Sequence, residues 1–159
     1  RESKHLQAII KEAQLHSGTS FVEVYQNCNI FNDGAFSDLT DKEIKAETQL
    51  ILENEKPMIF GKNSDKGIHL DGSKPVVVEI GKKYSIDDII VHDTSDKVLA
   101  MILSELTYDA NFPTPLGVIY KEDKPTYEQL LIDKIDIATK SRKIKLQELI
   151  KGTNTWKVS

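Results

Sequence analysis

Thr19-Ser20-Phe21-Val22-Glu23-Val24-Tyr25-Gln26 is the stretch whose reading decides the fold class. In an extended chain successive side chains point to opposite faces, so Phe21 and Tyr25 share one face and Val22 and Val24 the other. Just before it, Leu6, Ile9, Ile10 and Ala13 fall at i, i+3, i+4 and i+7, the apolar stripe of an amphipathic helix that Ser17-Gly18 brings to an end. A helix followed by a strand that is apolar on both faces predicts an α/β arrangement with a sheet covered on two sides.

Working outward, the pattern continues as alternating helices and short strands. Thr40-Asp41-Lys42-Glu43 has the form of a capping box, with Ile44, Thr48, Ile51 and Leu52 predicting a helix to about residue 54. Residues 67–70 and 76–80 flank the turn signal Asp71-Gly72 and predict a hairpin with a connection longer than two residues. Residues 89–92 and 117–120 read as further strands. Between them, a helix capped by Ser95 carries Val98, Leu99, Ile102, Leu103 and Leu106 around much of its circumference, a pattern that predicts deep burial. Thr126 to Gln129 forms a second capping box ahead of the stripe Tyr127, Leu131, Ile135 and Ala138. A last helix is expected over 144–151, with Gly152 as its C-cap. The least regular regions are 27–39 and 61–66. The second is taken as a boundary, giving a first part, residues 1–60, and a second, residues 61–159. The chain opens at Arg1 and runs straight into a helix, as expected of a piece excised from something longer.

Composition bounds the function. The 159 residues include 29% charged and 39% hydrophobic residues, an ordinary globular mixture of about one domain that excludes a disordered or fibrous chain. The charge is 21 − 25 = −4, without the basic footprint of a dedicated nucleic-acid binder. The longest charge-free stretch, residues 110–120, is too short to span a membrane as a helix and contains two prolines, Pro113 and Pro115. A single cysteine excludes an intramolecular disulfide, and with no apolar leader pattern the expected setting is cytoplasmic.

Few side chains suggest chemistry by type and spacing. Cys28, the only cysteine, stands where the first strand runs out. A lone cysteine there is ordinarily a buried, inert thiol, and a reactive one would need a histidine or cation to lower its pKa. His5, His16, His69 and His92 include no i, i+4 metal pair. His92-Asp93 at a strand end admits a histidine–carboxylate dyad, although backbone bonding is the commoner fate of such a histidine. Asp87, Asp88, Asp133 and Asp136 read as turn and surface residues with no acid–base pairing. Lys140, Arg142, Lys143 and Lys145 form a basic cluster read as a solvated face or a contact between subunits. Neither glycine-rich phosphate loop occurs, and Pro113-Thr114-Pro115-Leu116-Gly117 is a stiff turn of scaffold character.

Gly18-Thr19-Ser20-Phe21-Val22-Glu23-Val24-Tyr25-Gln26-Asn27-Cys28-Asn29-Ile30-Phe31-Asn32-Asp33-Gly34-Ala35-Phe36 resembles the beta subunit of 2-oxoacid:ferredoxin oxidoreductases, and most closely the 2-oxoglutarate type. Val91-His92-Asp93, Pro113-x-Pro115-x-Gly117-Val118, Pro125-x-Tyr127 and Thr155-Trp156-x-Val158 follow in an order similar to the C-terminal region of that subunit. The resemblance implies oxidative decarboxylation of a 2-oxoacid, 2-oxoglutarate or pyruvate, on thiamine diphosphate held by magnesium. Coenzyme A would take the acyl group, and electrons would pass through a four-iron, four-sulfur cluster to ferredoxin, with an alpha subunit as partner. It also implies that Cys28 is the fourth cysteine ligand of that cluster.

The family's Cys-x-x-Cys, its third cysteine and its Gly-Asp-Gly diphosphate–magnesium motif are absent from this chain. The fold then implied is the C-terminal part of a doubly wound thiamine-diphosphate-binding domain with its connecting helix, residues 1–60, plus a smaller mixed α/β extension, residues 61–159. Such a piece is expected to be inactive alone, to bind no cofactor tightly, to hold no catalytic residue and to self-associate through apolar surface. The alternative is a non-catalytic interaction or structural module derived from the same region.

Overall fold

A computed structural model describes residues 3–141, 145–156 and 158. The chain divides into two compact units, one of Arg1–Leu15 with Ser20–Glu122 and one of His16–Thr19 with Asp123–Ser159.

The first unit begins with α1 (Ser3–Leu15), where the predicted stripe forms a helix with no fully buried residue. Residues 19–26 then depart from the expected strand. They join no sheet, and Phe21 is 89% exposed. Extended backbone becomes a strand only when a neighbour takes its hydrogen bonds, and none of the described residues lines up beside this segment. The predicted helix over 40–54 is also replaced, by two single turns and a strand: α2 (Ser37–Thr40), α3 (Lys45–Thr48) and β1 (Gln49–Ile51). Thr40 Oγ1 donates backward to the Phe36 carbonyl at 2.9 Å and closes α2 instead of opening a helix. Leu50 and Leu52 are buried while Ile51 between them is exposed, an alternation of period two that selects the strand over the helix.

β2 (Ile59–Phe60), β3 (Lys66–Asp71) and β4 (Lys74–Glu79) form an antiparallel sheet in the order β2-β3-β4. The predicted hairpin is β3–β4, and its strands run further than expected. Asp71 pairs with Lys74, so the connection is the two residues Gly72-Ser73, with Gly72 at φ +65°. Residues 89–92 do not become a strand. After a 3-10 turn (Ile86–Asp88), they make one isolated bridge, Val91 opposite Pro57. Met58 donates to Ile90 and His92 to Lys56 around that bridge, but the Ile90 amide goes to Ile68 and the Lys56 amide to Glu53, which confines the pairing to a bridge.

α4 (Lys97–Leu106) has Asp96 as its N-cap, one residue later than expected. Asp96 Oδ1 accepts the amides of Val98 at 2.8 Å and Leu99 at 3.1 Å. Ser95 is held instead by Asp93, whose Oδ1 accepts both its N–H and its Oγ–H. Only one face of α4 is buried, through Leu99, Leu103 and Leu106, and Val98 and Met101 face solvent. β5 (Thr114–Leu116) pairs with β1 in parallel and ends where 117–120 had been expected to begin a strand. Gly117 takes φ +148°, and a Cβ there would lie 2.8 Å from the Leu52 carbonyl oxygen, so the backbones approach as only glycine allows. The core joins both sheets to α4 through Leu50, Leu52, Met58, Phe60, Ile68, Val78, Ile89 and the three α4 leucines.

In the second unit Thr126 Oγ1 accepts the Gln129 amide at 3.2 Å and opens α5 (Tyr127–Ser141), none of whose residues is buried. α6 (Leu146–Lys151) ends at Gly152, which has φ +64° and donates to the Glu148 carbonyl, as the C-cap reading requires. No helix among the described residues is long and apolar enough to cross a membrane.

Candidate functional site: the Cys28 loop

Cys28 is free and exposed, which overturns its reading as a packed thiol. It sits on a loop over residues 27–34 with a defined neck. Below the loop the rings of Tyr25 and Phe36 stack with centroids 5.0 Å apart and planes 8° from parallel. At its base Asn27 Oδ1 accepts the Gly34 amide at 2.9 Å. Across the loop the Asn32 amide donates to the Cys28 carbonyl at 2.9 Å, and the two residues form an isolated antiparallel bridge. The amide of Phe31, then that of Ile30, lower the Cys28 pKa below the ordinary thiol value, against a smaller desolvation penalty and with a further contribution from Asn32. The activating groups are thus backbone dipoles rather than the neighbouring histidine or cation a reactive cysteine was expected to need. Tyr25, in contrast, is pushed up, chiefly by partial burial.

The other sequence candidates lie elsewhere and form no common centre. His92 is fully buried, with Nε2 2.8 Å from the Val118 carbonyl oxygen. Its Nδ1 has no hydrogen-bond partner. Asp93 does not form a dyad with it: the hydroxyl and amide of Ser95 engage that carboxylate and hold its pKa below the usual range. His69 Nδ1 lies 2.6 Å from the Asp88 carbonyl oxygen, and His16 Nδ1 lies 3.3 Å from Asp123 Oδ1. Asp88 accepts the N–H and hydroxyl of Ser85, and Asp133 accepts Gln129 Nε2 at 2.9 Å. His5, Asp87 and Asp136 enter no cluster. Of the basic cluster, Lys140 lies near the end of α5 and Lys145 precedes α6, while Arg142 and Lys143 lie outside the described residues. Among the described residues no three His, Cys, Asp or Glu side chains are grouped to hold a metal ion. Cys28 is the chain's one thiolate donor, able to provide a single ligand to a group completed by other donors.

Asn27, Tyr25 and Phe36, which build the loop, were not singled out from the sequence. The available signal was the density of short polar residues and glycine in Asn27, Asn29 and Asn32-Asp33-Gly34, the residue types that close turns through their side chains.

Residues 81–134 match the family described as the C-terminal region of the pyruvate ferredoxin oxidoreductase beta subunit. The chain is thus similar to the C-terminal portion of a 2-oxoacid oxidoreductase beta subunit, as the motifs had suggested. Over 163 aligned residues it is 32% identical to the 2-oxoglutarate oxidoreductase subunit KorB of Mycobacterium tuberculosis, covering 96% of this chain and 42% of that relative. The chain therefore spans less than half the length of the curated relative it matches. No solved structure matches it significantly.

Proposed function

We propose that this chain is the C-terminal part of the beta subunit of a 2-oxoacid:ferredoxin oxidoreductase, in which Cys28 provides one thiolate of a four-iron, four-sulfur cluster. The observation that carries this reading is an exposed thiol, lowered in pKa by backbone amides, in a chain similar along nearly its whole length to a subunit of this kind. The donor set fits one corner of such a cluster: a thiolate is the ligand iron–sulfur centres use, and amide N–H groups directed at it stabilise the negative charge it keeps when bound. Three further thiolates must come from outside these 159 residues. When bound, the cluster would supply one-electron transfer towards ferredoxin. The role of this chain is to hold one ligand on a locked loop and to present its surface to the rest of the assembly.

Thiamine diphosphate does not fit the residues present. There is no glycine-rich phosphate loop and no acidic metal group among the described residues, so no catalytic step is assigned to this chain. Its site, with magnesium, belongs to residues outside this chain, and residues 1–60 would be the end of the doubly wound domain that carries it, with 61–159 as the extension. The substrate favoured is 2-oxoglutarate, which the name of the relative carries, over pyruvate, named in the family description. Coenzyme A would accept the acyl group, an alpha subunit would complete the enzyme, and the setting would be the cytoplasm. Alone, the chain would be inactive and would self-associate.

The decisive variant is Cys28→Ala in the intact subunit. Visible absorbance and iron content should fall and electron delivery to ferredoxin should collapse, while thiamine diphosphate binding survives. A cluster retained in full would refute the ligand assignment. The 159-residue chain by itself should be colourless, and stoichiometric iron or micromolar thiamine diphosphate binding to it would contradict the division of labour proposed here.

A further inference from the structure

β4 is an outer strand of its sheet, and part of its backbone is left unpaired. Val77 stands opposite Ile68 of β3. The Ile68 amide, however, donates to the Met58 carbonyl at 3.1 Å, and its carbonyl accepts the Ile90 amide at 2.9 Å. Both groups of Ile68 are spent on the far side of β3, so this pair exchanges no hydrogen bond. Unbonded pairs alternate with bonded ones in an antiparallel ladder, which turns the backbone groups of Pro75, Val77 and Glu79 outward. The Ile80 amide agrees from the next position, donating inward to the Asp65 carbonyl at 2.8 Å. Among the described residues no strand pairs with this edge. Pro75 has no N–H, so the row of free donors stops there. Where it stops, a surface cavity of about 470 Å3 begins, lined by Pro75 with Leu106, Tyr108, Phe112 and the acidic Glu105 and Asp109. No basic side chain lines it. Asp109 Oδ1 accepts the amide and Nδ2 of Asn111, and Glu105 enters no ion pair among the described residues.

We propose that the β4 edge and this cavity form one docking site for an extended, basic segment of a protein partner. The segment adds as a further antiparallel strand, bonded to the outward groups of Val77 and Glu79, and places an arginine or lysine side chain in the cavity beside Pro75. In strand addition the backbone supplies affinity and the adjoining pocket selects the side chain. Aromatic rings beside carboxylates are the chemistry that holds a guanidinium, by stacking and by charge. The same charge argues against a second copy of β4 as the occupant. If two β4 strands paired antiparallel around Val77, Glu79 of the second copy would stand opposite Pro75, beside two further carboxylates. All of these residues belong to the first unit, and the site is independent of the role of Cys28.

The acetylated, amidated hexapeptide Thr-Val-Thr-Val-Thr-Arg, titrated into the 159-residue chain, is the probe. Residue-resolved amide exchange reads where it binds. The amides of Val77 and Glu79 should slow by about tenfold or more at saturating peptide, while those of Val76 and Val78, already bonded to β3, should not change. The same peptide ending in glutamate should bind about tenfold more weakly. The pair Glu105→Gln, Asp109→Asn should remove most of that preference. Val77→Pro deletes one outward amide without touching a β3 bond and should weaken both peptides alike; if that variant fails to fold, the carboxylate pair still decides. Amides of Val77 and Glu79 that do not respond to peptide, or equal binding of the arginine and glutamate peptides, would overturn the proposal. So would slowing that appears without peptide and grows with protein concentration, since it would give the edge to a second copy.

Discussion

At the scale of single residues, the chemistry separates from the scaffolding by what each side chain touches. Cys28 touches backbone amides and solvent, whereas His92, equally conspicuous in the sequence, is locked against the Val118 carbonyl inside the first unit. Glycines show the same distinction. Gly67 lies in the middle of β3, and a Cβ there would fall 2.5 Å from Ile89 Cδ1 and 2.9 Å from Cγ1. Ile89 is itself a core residue and has little room to withdraw. Gly67→Ala should therefore cost about 1–3 kcal/mol, the usual penalty of overpacking. The expected signature is a lower urea midpoint with an unchanged m-value, and an unshifted midpoint would mean that the hairpin and the 89–92 segment pack less tightly than described.

At the scale of elements, the 3-10 turn before Ile89 is held at its start by charge. Asp88 Oδ2 accepts the Ser85 amide and the Ser85 hydroxyl, each at 2.8 Å. These bonds, the backbone one first, hold the Asp88 carboxyl below the ordinary 3.8. A carboxyl depressed in the folded state stabilises the fold above its unfolded pKa and loses that contribution as the pH falls through the folded value. Asp88→Asn should then be less stable than the parent at neutral pH, and the two should converge in acid below about pH 4. Unfolding curves collected from pH 7 downward provide the check. A difference that stays constant across the range would show that the carboxylate charge plays no part.

At the scale of the whole molecule, apolar surface is unevenly distributed. The first unit has a closed core, yet Phe21 and Phe31 of the Cys28 region are 89% and 88% exposed. In the second unit α5 shows Tyr127, Leu131 and Ile135 to solvent along one stripe and buries no residue. A helix of this kind draws most of its stability from packing that face against something, and exposed apolar stripes of this size favour association. The chain in isolation should self-associate, with an apparent mass that rises with concentration in sedimentation experiments. The double substitution Leu131→Glu, Ile135→Glu should weaken that association. Strictly monomeric behaviour at high concentration would mean that these faces do not drive it.

Local signals in the sequence were enough for those elements whose hydrogen bonds close within themselves. The β3–β4 hairpin, the body of α4, the Thr126 start of α5 and the Gly152 end of α6 all follow from periodicity, capping residues and turn chemistry that lie only a few positions apart. The family was legible in the same way, because motifs are written in residue order. Tertiary structure decided the rest, since a strand exists only beside another. Residues 19–26 have strand composition and no neighbouring strand among the described residues, and in 89–92 the Ile90 amide goes to Ile68 instead of extending the bridge to Pro57. The 49–51 segment, predicted helical, is a strand because β5, more than 60 residues away, lies parallel to it. The Cys28 loop belongs to the same category. Its composition announced a turn, but its closure depends on Asn27 bonding residues up to seven positions away, which no periodic pattern records.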